Sequence, residues 1–179
     1  QQYYLEFNNN LSKFYKKDVL GVTSDSNEKE RLLQKTTSIL YGTNDTYFFK
    51  KETREIIIKK DDGNLFFLNE KQDWKITSES KKIGVYTCYK AILEKVLVNR
   101  KGNEYLSPVV AWFAPELPYS YGPKDFNGLP GLILELQFYK TVYLATKIVV
   151  DTNSKNKIEL PKGKMTDYKK YQKSFAGKI

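Results

Sequence analysis

Hydrophobic positions along this chain come in short bursts separated by polar turns, not in helical arcs. Tyr3-Tyr4-Leu5-Glu6-Phe7 and residues 11–17 flank Asn8-Asn9-Asn10 and predict a first hairpin. Tyr47-Phe48-Phe49, Glu55 to Lys59, Leu65 to Leu68 and Trp74 to Thr77 follow at a spacing of about ten residues, as in sandwiches and barrels. Asp62-Gly63 between two of these runs is a hairpin turn signal, and Asp61-Asp62-Gly63-Asn64 lacks the spaced ligands of a calcium loop.

Residues 85–98 alternate over a length that bends most strands, and Gly84 offers a bulge or kink there. Further strands are predicted at Val109 to Phe113, from Leu132 onward, at Tyr143 to Val150 and at Ile158-Glu159-Leu160, with Tyr139-Lys140-Thr141 as a tight connection. Two helices interrupt the pattern. Asn27 and Glu30 have capping-box spacing ahead of a segment running to about residue 38. Thr166 precedes Tyr168, Tyr171 and Phe175 at helical spacing, which predicts a helix near 166–176 closed by Gly177. No repeat, linker or low-complexity segment divides the chain, so residues 1–179 read as one domain. The expected fold is mainly β: an antiparallel meander forming an open barrel, half-barrel or bowl.

Residues 112–136 break the alternation. Four of the six prolines fall there, and with Gly122, Gly128 and Gly131 they exclude a helix. Leu129-Pro130-Gly131-Leu132 has the residue order of a type II turn, with Gly131 at the position needing φ > 0. The run from Leu132 is apolar on both faces, as in a strand covered on both sides. A stiff loop is thus tied to a buried strand. Pro115, Pro118, Gly122, Pro123, Gly128, Pro130 and Gly131 are the residues that set its shape.

Gly128 to Ile133 spells the hexapeptide of the GLPGLI family of Gram-negative envelope proteins, which this chain resembles. The resemblance extends to Trp74-Lys75-Ile76, to residues 81–91, to residues 111–118 with Gly122-Pro123, and to residues 161–164. It covers nearly everything past about residue 70; earlier residues match in element order alone. The resemblance implies export to the periplasm or outer membrane, with Gln1 near the start of a mature chain. It points to a protein partner such as a TonB-dependent transporter, and implies no defined biochemical activity. A weaker resemblance is to the bowl-shaped accessory domain of some bacterial peptide-N-glycosidases.

Composition narrows the chemistry. Histidine is absent, which removes the commonest general base and metal ligand and every Ser-His or Cys-His arrangement. No metal or cofactor is expected. The net charge of +9 comes from lysines scattered singly and in pairs, which reads as a solvated surface, not a polyanion site. Nucleic acid is therefore not an expected partner, and no apolar run is long enough to span a membrane. The single cysteine, Cys88, lies between aromatics in a strand and reads as a small buried hydrophobe. Glu116, Asp125 and Glu135 are the acids near the loop; a hydrolase would need two of them to converge, and Glu135 reads as an ion-pair partner of Arg54, Arg100 or a lysine.

The binding candidates are Trp112, Tyr119, Tyr121 and Phe126, either packing the loop on the strands or offering an aromatic face. The function expected is a non-enzymatic exported protein that binds an outer-membrane or periplasmic protein, with the loop across or beside the mouth of the bowl. A carrier of a lipid or other apolar ligand, with residues 27–38 as lid, is the alternative; a carboxylate-based hydrolase ranks below it.

Overall fold

The computed structural model describes residues 1–16, 44–99, 101–151 and 157–175. These hold β1 (Tyr3–Phe7), β2 (Leu11–Lys16), β3 (Thr46–Lys50), β4 (Glu55–Lys59), β5 (Leu65–Asn69), β6 (Lys75–Ile83), β7 (Tyr86–Val98), β8 (Glu104–Ala114), β9 (Leu132–Phe138), β10 (Thr141–Leu144), β11 (Met165–Asp167) and helix α1 (Tyr168–Phe175). Two sheets result, in the orders β1-β2-β3-β4-β5-β11 and β10-β9-β8-β7-β6. Consecutive strands within each sheet pair antiparallel, as the tight turns after β1, β3, β4, β6, β7 and β9 require, while longer segments join β2 to β3 and β8 to β9. The exception is β11, which returns from the far end of the chain and pairs parallel with β5. The fold is mainly β, as expected, and neither sheet closes into a barrel.

One core lies between the sheets. Phe14, Tyr47, Phe49, Ile56, Ile58 and Phe66 of the first sheet share it with Ala91, Leu93, Val109, Ala111 and Leu136 of the second. The register explains the choice of faces. Tyr47 pairs with Ile58 and Phe49 with Ile56, so all four point inward, while Phe48 and Ile57 pair on the opposite face. That outer face is also buried, because Ile158, Leu160 and Met165 cover Phe48 and Ile57. Ile56-Ile57-Ile58 is therefore covered on both sides, and complete burial of Ile57 contributes about 1.5–3 kcal/mol.

Several expected elements differ. Ile158-Glu159-Leu160 forms no strand; Ile158 is buried as a plug, not as a ladder member. The strand expected over Tyr143 to Val150 ends at Leu144, and β8 begins five residues before Val109. Gly84 is not a bulge but sits with φ +57° in the β6–β7 turn; the register shifts lie between Ile76 and Ser80, and between Trp112 and Phe113. Thr166 belongs to β11, and Asp167 caps α1 by accepting the Lys170 amide at 2.9 Å. Tyr168 and Tyr171 seat that helix on Phe66. The helix expected over residues 27–38 and Gly177 lie outside the described residues.

Candidate functional site

The loop between β8 and β9 enters the space between the sheets. Leu117, Tyr121, Phe126, Asn127 and Leu129 are all buried within it. Tyr121 crosses to the first sheet, packs tilted against Phe7 and edge-on to Phe49, and donates its hydroxyl to the Asn8 carbonyl at 2.9 Å. Burial pushes that hydroxyl's pKa up to about 12. Phe126 lies edge-on to Trp74 and Phe138 beneath the Lys95 ammonium. The backbone satisfies itself on the way: Gly128 N–H donates to Ser120 O at 3.1 Å, Leu132 to Leu117 O at 2.9 Å and Ile133 to Tyr121 O at 3.0 Å.

The segment before β6 latches the loop from outside. Gln72 donates to the Asp125 carbonyl at 2.6 Å and accepts the Asn127 amide at 3.0 Å, and the Trp74 indole donates to Asn127 O at 2.9 Å. Gln72 and Asn127 carried no signal in the sequence. Beside them is an open groove of about 290 Å³, lined mainly by charged and polar residues such as Glu70, Asp73, Lys75 and Glu94.

The loop-shaping residues act differently from the type II reading. Gly131 does not have positive φ, whereas Gly128 does, at +90°. Gly131 is required by proximity: a Cβ there would stand 2.7 Å from the Ala114 carbonyl carbon and 2.9 Å from Pro115 N. A Cβ on Gly122 would meet Ile133 Cδ1 at 2.6 Å. Gly122 and Pro123 are buried, while Pro115, Pro118 and Pro130 face solvent.

The aromatic candidates therefore separate. Tyr121 and Phe126 are 1% exposed and are core, so they present no face to a partner. The reason is the loop's path: its rings fill the gap between the sheets instead of crossing the mouth. Tyr119 is half-buried against Phe7. Trp112 stands on the other face of the second sheet. It pairs with Lys90 and Glu135 across the strands, and the Lys81 ammonium lies 4.4 Å over its ring and 2.6 Å from Glu135. Glu135 thus finds a lysine, as expected. Cys88 pairs with Lys81 and is fully buried; burial pushes its thiol pKa up, with Lys81 opposing.

The acids do not converge in one cleft. Glu135 is on the outer face, Glu116 is exposed and accepts the Thr87 amide at 3.1 Å, and Asp125 is inside, paired with Lys95. Among the described residues no three His, Cys, Asp or Glu side chains gather as a metal site would need. Burial alone would raise the Asp125 carboxyl, but the Lys95 ammonium, by charge and hydrogen bond, holds it below the usual carboxylate range. Alternation marks Lys95 as inward-facing, two and four residues from Leu93 and Ala91, a signal in the sequence that could have found it.

A family profile described as a protein of unknown function (Porph_ging) matches residues 74–107 and 99–135, the segments that form β6 to β8, the inserted loop and the start of β9. The chain is similar to that family over these residues. No curated protein matches. No solved structure matches.

Proposed function

We propose that this chain is a non-enzymatic binding domain of the Gram-negative envelope, of the GLPGLI type, and that it engages an outer-membrane protein such as a TonB-dependent transporter. The observation that carries the reading is the outer face of the second sheet. Val96 (48% exposed), Leu106 (60%), Val142 (54%) and Leu144 (54%) share that face with Trp112 by strand register. An apolar face of this kind, crossed by the Lys81–Glu135 and Lys90–Glu79 ion pairs, suits a protein surface with its own alternating charges. The loop aromatics are spent on the core, so the contact surface shifts from the loop to this sheet. Because the loop occupies the space between the sheets, the interior favours a solid scaffold over a carrier of apolar cargo.

The test is capture from solubilised envelope with the intact chain, a Leu106→Asp/Val142→Asp variant and a Tyr121→Phe control. The double variant loses a protein that parent and control both retain. Recovery of the same proteins by all three chains rejects the sheet as the contact surface.

A further inference from the structure

β6 and β7 differ in length, and the difference leaves an open strand edge. β6 begins at Lys75, which pairs with Ile92, while β7 runs on to Val98. From Leu93 to Val98, roughly 20 Å of strand, β7 pairs among the described residues with β8 alone. The Asn99 amide donates to the Asn103 carbonyl at 2.9 Å, which fixes the alternation of the β7–β8 ladder. Leu93, Lys95 and Leu97 turn their backbone N–H and C=O groups toward β8. Glu94, Val96 and Val98 turn theirs to the side that β6 does not reach. Where a longer β6 would lie, the chain instead bends away, because Gln72 and Trp74 bond the loop at Asp125 and Asn127. The open groove of about 290 Å³ is the space this leaves, with Leu93 to Val96 along one wall and Glu70 to Asp73 along the other.

We propose that this edge takes up an extended segment of a partner protein as an added strand, with a basic side chain opposite Glu94 and an apolar one opposite Val96. Unpaired N–H and C=O groups along a strand edge set the register, and side chains at alternate positions set the selection. At about 290 Å³ the groove is near the small end of ligand clefts, so it suits a single strand and not a bulky group. Charge decides the occupant. Lys71 pairs with Asp73, Glu70 with Lys169 and Lys95 with Asp125, so these charges are matched within the fold. Glu94 is exposed and has no ion-pair partner among the described residues, so it selects a base. Val96, 48% exposed, selects an apolar neighbour. Lys95 already holds its acid, so the residue facing it on the inner side is uncharged. Lys75, where β6 starts, marks the end of the space for the added strand. The edge shares Val96 with the outer face described above but does not depend on that reading.

The test is amide NMR titration of the full chain with the blocked peptide Thr-Val-Val-Thr-Lys-Thr. Running antiparallel to β7, it places its second valine opposite Val96 and its lysine opposite Glu94. The comparison probes are the same peptide with glutamate in place of lysine, and the same peptide N-methylated at that second valine. The lysine peptide binds, and the Glu94, Val96 and Val98 amides shift and exchange more slowly. The glutamate peptide binds about threefold more weakly, the scale of an exposed ion pair. N-methylation weakens binding about fivefold, the loss of one hydrogen bond. Val96→Pro removes the matching donor from the protein and leaves the β8 ladder intact, so it weakens the lysine peptide to the same degree. Glu94→Lys inverts the preference between the two charged peptides. Absence of amide shifts over residues 93–98, equal binding of the N-methylated peptide, a Val96→Pro chain that binds like the parent, or a preference that Glu94→Lys does not invert would each overturn the proposal.

Discussion

Gly131 and Ala114 touch through bare backbone: the missing Cβ of Gly131 would stand 2.7 Å from the Ala114 carbonyl carbon, and closer still to its oxygen. The contact joins the last residue of β8 to the residue before β9, so it closes the neck through which the loop enters the core. Backbone cannot give way as a flexible side chain can. Gly131→Ala therefore costs about 3 kcal/mol or more, at the upper end of ordinary single substitutions. In a chain of this size that is a fall of roughly 6–12 °C in melting temperature. A melt within two degrees of the parent would place the neck elsewhere.

Gly128 tests a different cause. Nothing lies within 4 Å of a Cβ built there, and its φ is +90°. Gly128→Ala accordingly costs about 1–3 kcal/mol from backbone strain alone. Chemical denaturation of both alanine variants separates proximity from conformation: the Gly131 variant is the more damaged of the two.

Lys95 and Asp125 each have side chains 14% exposed. Lys95→Met leaves a buried carboxylate unpaired and destabilises by about 3–5 kcal/mol, while Lys95→Met with Asp125→Leu recovers most of the loss. The pH dependence follows. The native Asp125 pKa is lowered, so its contribution is complete above the unfolded value of about 3.9 and is lost as pH falls through the lower native value. Acid titration of stability should show this slope in the parent and a shallower one in the double variant.

Tyr121→Phe removes the hydroxyl that bonds Asn8 O and leaves the ring among Phe7 and Phe49. The expected loss is about 1 kcal/mol, the net worth of one hydrogen bond. Phe126→Ala removes the ring between Trp74 and Phe138 and costs about 3–5 kcal/mol. Equilibrium unfolding in urea measures both, and the order must be as stated.

The strands were legible because alternation and turn residues are local signals, as at Asp62-Gly63, where Gly63 has φ +85°. The stiffness of the loop was legible from its prolines. Its direction was not, because composition does not say whether a ring of Tyr121 or Phe126 fills a gap or faces outward; the gap is created by strands far away in the chain. The role of Gly131 was misread for the same reason, since its constraint is the approach of Ala114 and not its own φ. The parallel return of β11 beside β5 joins residues about a hundred positions apart, and no pattern around Met165 announces it. The left-handed backbone at Lys124 likewise has no signature in residue type.

The most direct measurement is amide hydrogen exchange across residues 114–134. The amides of Gly128, Leu132 and Ile133 donate to carbonyls within the loop, and the loop's side chains lie between the sheets. They should exchange in the same slow class as the paired amides of β8 and β9, opening only with the whole domain. Exchange at the rate of a solvated surface loop, with β8 and β9 still protected, would mean that the loop is not part of the core.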